Sequence, residues 1–246
     1  RHRLFEQATL RRLRETPSTL RDAQGRIMIP PFPRDAMVVK TAWWPARGDG
    51  LTPLPVWDAQ ANPAIRAGNN FLGWRRVVAI DARGSRPRAS KERLAFGGKS
   101  RDVSAFVALD SFHQIVVDDT LALRLQSDAA LRKLAPLVLG RSLRAGDRLL
   151  LLGVHVATRQ IDDWIWGTLW WHDAAQSGAY AAGRPADLAP PWRNYLLDVA
   201  FDASLPAAPD GGPHVTYNPW FEARFPDAGR GGGTTSNCMT CHRRAS

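Results

Sequence analysis

Two apolar runs, LLLLGVHVATR over Leu149–Arg159 and WIWGTLWWH over Trp164–His172, flank a short stretch holding Ile161, Asp162 and Asp163. Runs rich in branched and aromatic residues around such a turn predict a β-hairpin. Period-two alternation puts Trp164, Trp166, Thr168, Trp170 and His172 on one face, and Ile165, Gly167, Leu169 and Trp171 on the other. Both faces are largely apolar, so the ribbon is expected in the centre of a sheet, covered on both sides.

Further strand signals lie along the chain. Val38–Trp44 reads as a strand that Pro45 ends. Leu54–Trp57, Trp74–Asp81, Ala105–Leu109 and His113–Val117 read as short strands, and Trp192–Phe201 as a strand or short helix. Ser127–Leu139 is the best internal helix, with Ser127 as N-cap and Gly140 as stop, although it contains Pro136. Residues 3–15 suit a short helix, and 16–36 an irregular arm rich in proline. Residues 173–191 and 206–213 read as loops, and Tyr217–Phe225 as an aromatic segment. The fold class expected is mainly β (α+β): one antiparallel β-rich domain over 37–230, an N-terminal arm over 1–36, and a distinct C-terminal segment over 231–246.

That last segment carries the chemistry. Cys238, Met239, Thr240, Cys241 and His242 spell C-x-x-C-H, the attachment signature of c-type haem. Each thiol adds to one porphyrin vinyl group, and the next histidine lies under the iron. A structural zinc site needs four nitrogen or sulfur ligands, and the chain has no further cysteine. A thioredoxin-like pair should follow a strand, whereas Gly231, Gly232 and Gly233 precede this one. The expected cofactor is therefore one haem c, covalent through Cys238 and Cys241, with His242 as proximal iron ligand.

Haem attachment of this kind takes place outside the energy-transducing membrane, so a bacterial periplasmic or extracellular location is expected, with a leader removed or left out ahead of Arg1. No run of 18 apolar residues appears, so no transmembrane segment is expected. The formal net charge is +10, nearly all of it arginine. Such a surplus suits an acidic redox partner; an arginine-rich composition spread over a solvated surface is the favoured reading. The basic run Arg83–Arg93 has no interleaved aromatic residues and no nucleic-acid fold signature, so nucleic-acid binding is not expected. Oligomeric state is left open.

The segments FPRDAMVVKTAWW (32–44), GVHVATRQIDDWIWGTLWWHD (153–173) and TTSNCMTCH (234–242) resemble a group of uncharacterised β-rich bacterial monohaem cytochromes. The late motif and strand content also resemble, at the level of fold, cytochrome c′-β and its lysine-cross-linked relatives. The first resemblance implies a monohaem β-rich protein and no particular reaction. The second implies a strand lysine near the porphyrin, for which Lys40 is the one candidate; an edge-strand lysine facing water is the competing reading.

Arg243 and Arg244 follow the ligand and suit haem propionates, or form a solvated tail. For the sixth iron position, His155 and His172 on the hairpin are the foremost candidates, with His113 and His214 behind them. A histidine on an apolar face is more often a hydrogen-bonded core residue than a ligand. Met239 is tied back by its cysteine neighbours, and Met28 and Met37 read as packing residues. Trp43, Trp44, Trp164, Trp166 and Trp170 suit either the wall of a haem cavity or the core. No serine-hydrolase elbow, P-loop or Rossmann glycine pattern is present. The function expected is one-electron transfer in the periplasm; the alternative is a haem enzyme or gas-ligand binding protein with an open distal site.

Overall fold

The computed structural model of the chain describes residues 23–24, 33–58, 71–84, 91–162, 164–178, 180–202, 207, 211, 214–222 and 238. The predicted helix over 3–15, nearly all of the arm and most of the C-terminal segment lie outside the described residues.

The centre of the fold is the predicted hairpin. Strands β8 (Arg148–Thr158) and β9 (Ile165–Trp171) pair antiparallel. Strand β1 (Met37–Ala46) runs along the other side of β8, and β10 (Tyr195–Ala200) along the other side of β9. The short β7 (Gln114–Val116) pairs with the start of β8 and completes a five-stranded sheet. A second sheet joins β2 (Leu51–Val56) antiparallel to β3 (Arg76–Asp81), and β3 parallel to β6 (Phe106–Ala108). Strands β4 (Arg93–Phe96) and β5 (Lys99–Asp102) form a separate ribbon. Helices α1 (Asp119–Leu125) and α2 (Ala129–Leu139) precede β8, and the single turn α3 (Pro219–Glu222) follows β10. Of the described residues, 37 % are strand and 18 % helix, which fixes the class as mainly antiparallel β. None of these helices is long and apolar enough to cross a membrane.

Several element boundaries differ from expectation for identifiable reasons. Pro45 does not end β1, which continues to Ala46. β1 pairs only with β8, and an edge strand can hold a residue without an N–H. The same rule admits Pro53 and Pro55 in β2: two residues apart, both turn to the unpaired edge, where the Pro53 carbonyl accepts the Trp44 indole N–H at 3.0 Å. Trp164 lies in the hairpin turn with φ 64°, so the return strand starts at Ile165. α2 starts one residue later than predicted, because Asp128 rather than Ser127 accepts the Ala130 and Leu131 amides. It carries Pro136 through to a left-handed Gly140 cap. The Arg83–Arg93 run ends inside β4, whose ribbon turns at Gly97-Gly98, both at positive φ.

Two packed cores result. The larger joins Trp44, Leu54, Ile80, Phe96, Leu150 and Trp171 between the sheets and α2. The smaller holds Trp57, Trp74, Trp170, Leu196 and Tyr217.

Candidate functional site

The cross-strand register aligns Lys40 of β1, His155 of β8, Thr168 of β9 and Asp198 of β10 in one row. Directly opposed residues of antiparallel strands share a face, so four polar side chains cross one face of a largely apolar sheet. Residues 214–222 (HVTYNPWFE) lie across that row and satisfy it. His214 Nε2 meets Asp198 Oδ1 at 2.6 Å. Asn218 Nδ2 donates to Thr168 Oγ1 and to the Leu169 carbonyl, each at 2.9 Å. His155 Nε2 meets Glu222 Oε1 at 2.7 Å. The residues are four apart in sequence, and each meets the next strand, in the order β10, β9, β8. We call this segment the strap.

The strap's conformation follows from its sequence. Asn218 before Pro219 is a strong helix start: asparagine caps, and proline suits the first helical position. Asn218 Oδ1 accepts the Trp220 amide at 3.0 Å, and Glu222 reaches back to the Asn218 amide. Asn218 is fully buried, with its side-chain oxygen and nitrogen both engaged. Close approach to the sheet requires Gly153. A Cβ there would stand 3.2 Å from the Phe221 ring and 3.3 Å from the Asn218 amide group. The Phe221 ring stacks on His155 at 4.3 Å, and Lys40 Nζ stands 4.7 Å from its centroid. Lys40 itself is exposed, on an edge strand. Burial pushes the Asp198 carboxyl up from its ordinary range, and His214 only partly offsets this.

His172 sits elsewhere, just past β9, and is 1 % exposed. Its Nδ1 accepts the Ala174 amide at 3.0 Å, which leaves Nε2 to donate to the Trp57 carbonyl at 3.0 Å. Burial lowers its pKa, with the Arg76 guanidinium adding to the effect against Asp173. His172 is thus a neutral, hydrogen-bonded core residue. Arg76 and Asp173 pair bidentately beside it. A cleft of about 350 Å³ opens there, lined among others by Asp81, Ser111, Trp171, His172 and Asn194.

Of the other predicted residues, Trp44 and Trp170 are core, at 1 % and 0 % exposure, while Trp43 and Trp166 are half-buried. His113 is half-buried, its ring tilted against Trp192 at 4.0 Å between centroids, and its Nε2 has no hydrogen-bond partner among the described residues. Cys241, His242, Arg243 and Arg244 lie outside the described residues. Of the motif only Cys238 is described, half-buried and helical. By the chemistry of its donors, two thiols and an imidazole, the motif would suit a c-type haem. Among the described residues no group of three or more His, Cys, Asp or Glu could hold a metal ion.

The sequence reading reached His155 and Lys40 but missed Asp198, Asn218 and Glu222 as partners. The four-residue spacing of His214, Asn218 and Glu222 was the available signal. No family model, no curated protein and no solved structure matches this chain.

Proposed function

We propose that the chain is a c-type haem protein that transfers single electrons; its resemblance to a group of β-rich bacterial monohaem cytochromes supports the haem and implies no particular reaction. The observation that carries this is the spacing of Cys238, Cys241 and His242. Cys238 and Cys241 would hold the porphyrin through thioethers, and His242 would bind the iron. The haem supplies a one-electron ferric/ferrous couple. The strap ties the chain ahead of the motif to the sheet: Glu222, the last described residue before the motif segment, meets His155 of β8. A periplasmic or extracellular location goes with this reading, and the +10 charge suits an acidic redox partner.

A second reading, an open sixth position suited to gas ligands or catalysis, is favoured by one observation. The Nε2 atoms of His155, His172 and His214 are each within 3.0 Å of a carboxylate or carbonyl oxygen. None of the three can bind iron through Nε2 without giving up that contact, and His172 has its Nδ1 taken by the Ala174 amide as well.

Intact mass after denaturation and acid-acetone extraction tests the first reading. One haem is expected to stay on the chain. A haem-free mass from a host with active attachment machinery rejects it. Carbon monoxide added to the reduced protein separates the two readings: a shifted Soret band marks an open site, and an unchanged one a carrier with both axial positions filled.

A further inference from the structure

Trp220 of the strap touches Trp74 at 4.9 Å between ring centroids, and Trp74 touches Trp57 at 5.7 Å. Trp57 packs in the smaller core with Tyr217 and Trp170. There Tyr217 lies 6.2 Å from Trp170 and 5.8 Å from Tyr180, and Trp170 lies 5.1 Å from Tyr180. Tyr180 is half-buried, whereas Trp57, Trp74, Trp170 and Tyr217 are all buried. Ring contacts run from the strap through Trp74 to Trp57, and from Tyr217 and Trp170 to the half-buried Tyr180, and the core that Trp57, Tyr217 and Trp170 share joins the two.

Packing alone does not call for this composition. Phenylalanine fills apolar space without a polar atom, as Phe71 and Phe96 do beside Trp44. Trp170 is fully buried and its indole N–H has no hydrogen-bond partner among the described residues, a cost of about 1–3 kcal/mol that a phenylalanine would avoid. What tryptophan and tyrosine offer and phenylalanine does not is ready loss of one electron.

We propose that Trp220, Trp74, Trp57, Tyr217 and Trp170 form a path for single oxidising equivalents between the strap and Tyr180. It rests on the open-site haem reading for its source of oxidant, a peroxide reacting at the haem, and on ring contacts and core packing for the path. In each passage Tyr180 gives up one electron and its phenolic proton, the proton to solvent. Each intervening ring is oxidised by its neighbour on the strap side and reduced by its neighbour on the Tyr180 side. The electron ends on the oxidant. Trp44, 5.6 Å from Trp220, is a side branch: it is 1 % exposed, and its indole N–H is held by the Pro53 carbonyl, which cannot take a proton.

The test is photochemical and needs no turnover. A ruthenium polypyridyl photo-oxidant is attached to the imidazole of the Lys40→His variant of the full chain, close to Phe221 and the Trp220 end. Flash oxidation with an external quencher is expected to yield a tyrosyl radical in transient absorption. The signal should be lost in Tyr180→Phe and in Trp74→Phe, and kept in Trp192→Phe, whose ring lies off the path. Trp57→Phe is a second break if Trp74→Phe does not fold. An unchanged tyrosyl yield in a folded Trp74→Phe or Trp57→Phe, or no radical in the labelled chain, overturns the path. Intact mass of the same sample reports whether haem is attached, so a failure of the haem reading is seen separately.

Discussion

Glu222 and His155, 67 residues apart in sequence, meet at 2.7 Å on the face of the central sheet. Glu222 also closes the start of α3 through the Asn218 amide. One carboxylate therefore joins the local turn to the sheet. Glu222→Gln keeps the shape and one acceptor oxygen but removes the charge, and is expected to cost less than Glu222→Ala. The alanine variant should lose about 1–3 kcal/mol, a charge-assisted bond and a helix-start bond together. Urea midpoints of the two variants check the order; equal losses would show that the charge and the acceptor do not matter separately.

Gly153 is required by distance rather than by backbone conformation. Its ideal Cβ would press on both Phe221 and Asn218. Gly153→Val should displace the strap and destabilise by about 1–3 kcal/mol, in the range of overpacking. A chain cut more readily by protease near the strap, with strand content unchanged by circular dichroism, is the expected result. Protection equal to that of the unsubstituted protein would refute the close approach.

Two buried groups push stability in opposite directions with pH. His172 is held neutral by burial, with its pKa lowered. Its contribution is present above the ordinary histidine value of about 6.5 and is lost as pH falls toward the lowered value. Acidification across that range should therefore lower the urea midpoint, and His172→Gln should flatten the loss. A variant that loses stability as steeply as the unsubstituted protein would place the cause elsewhere, with His113 next in line because burial lowers it too.

Asp198 has the reverse sign. Burial raises its pKa, so its contribution is full below the ordinary carboxylate value and is lost as pH rises through the raised one. Asp198→Asn should gain in melting temperature relative to the unsubstituted protein as pH rises through that window. A difference that stays constant with pH would contradict the raised value.

How much of this was legible in the sequence depends on the range of the interaction. The central hairpin was readable because Leu149–His172 carries its own periodicity and its own turn. α1 was not: Leu121, Leu123 and Leu125 alternate at period two, as in a strand, while only the Asp118 cap, accepting the Leu121 amide at 2.7 Å, points to a helix. Gly97-Gly98 signalled a hairpin that the neighbouring arginines obscured. The polar row is a property of register. Lys40, His155, Thr168 and Asp198 come from four strands, and no local pattern states which residues will stand opposite. His172 could be placed on an apolar face from sequence, but its neutrality depends on the Trp57 carbonyl and the Ala174 amide. Chemistry confined to a few adjacent residues, as in Cys238–His242, is readable by itself.

The three contacts of the strap stand in line, one per strand. A pull applied to the chain beyond Glu222 reaches them in turn: Glu222 with His155 first, Asn218 with Thr168 next, His214 with Asp198 last. Contacts loaded in sequence open at a lower force than the same contacts loaded together. The sheet beneath is built the other way, with β1, β8, β9 and β10 paired along most of their lengths. The molecule thus joins a segment whose sheet contacts load one after another to a sheet whose strand contacts load together, and because Tyr217 of the strap belongs to the smaller core, a pull from the C-terminal side reaches that core once the second contact opens.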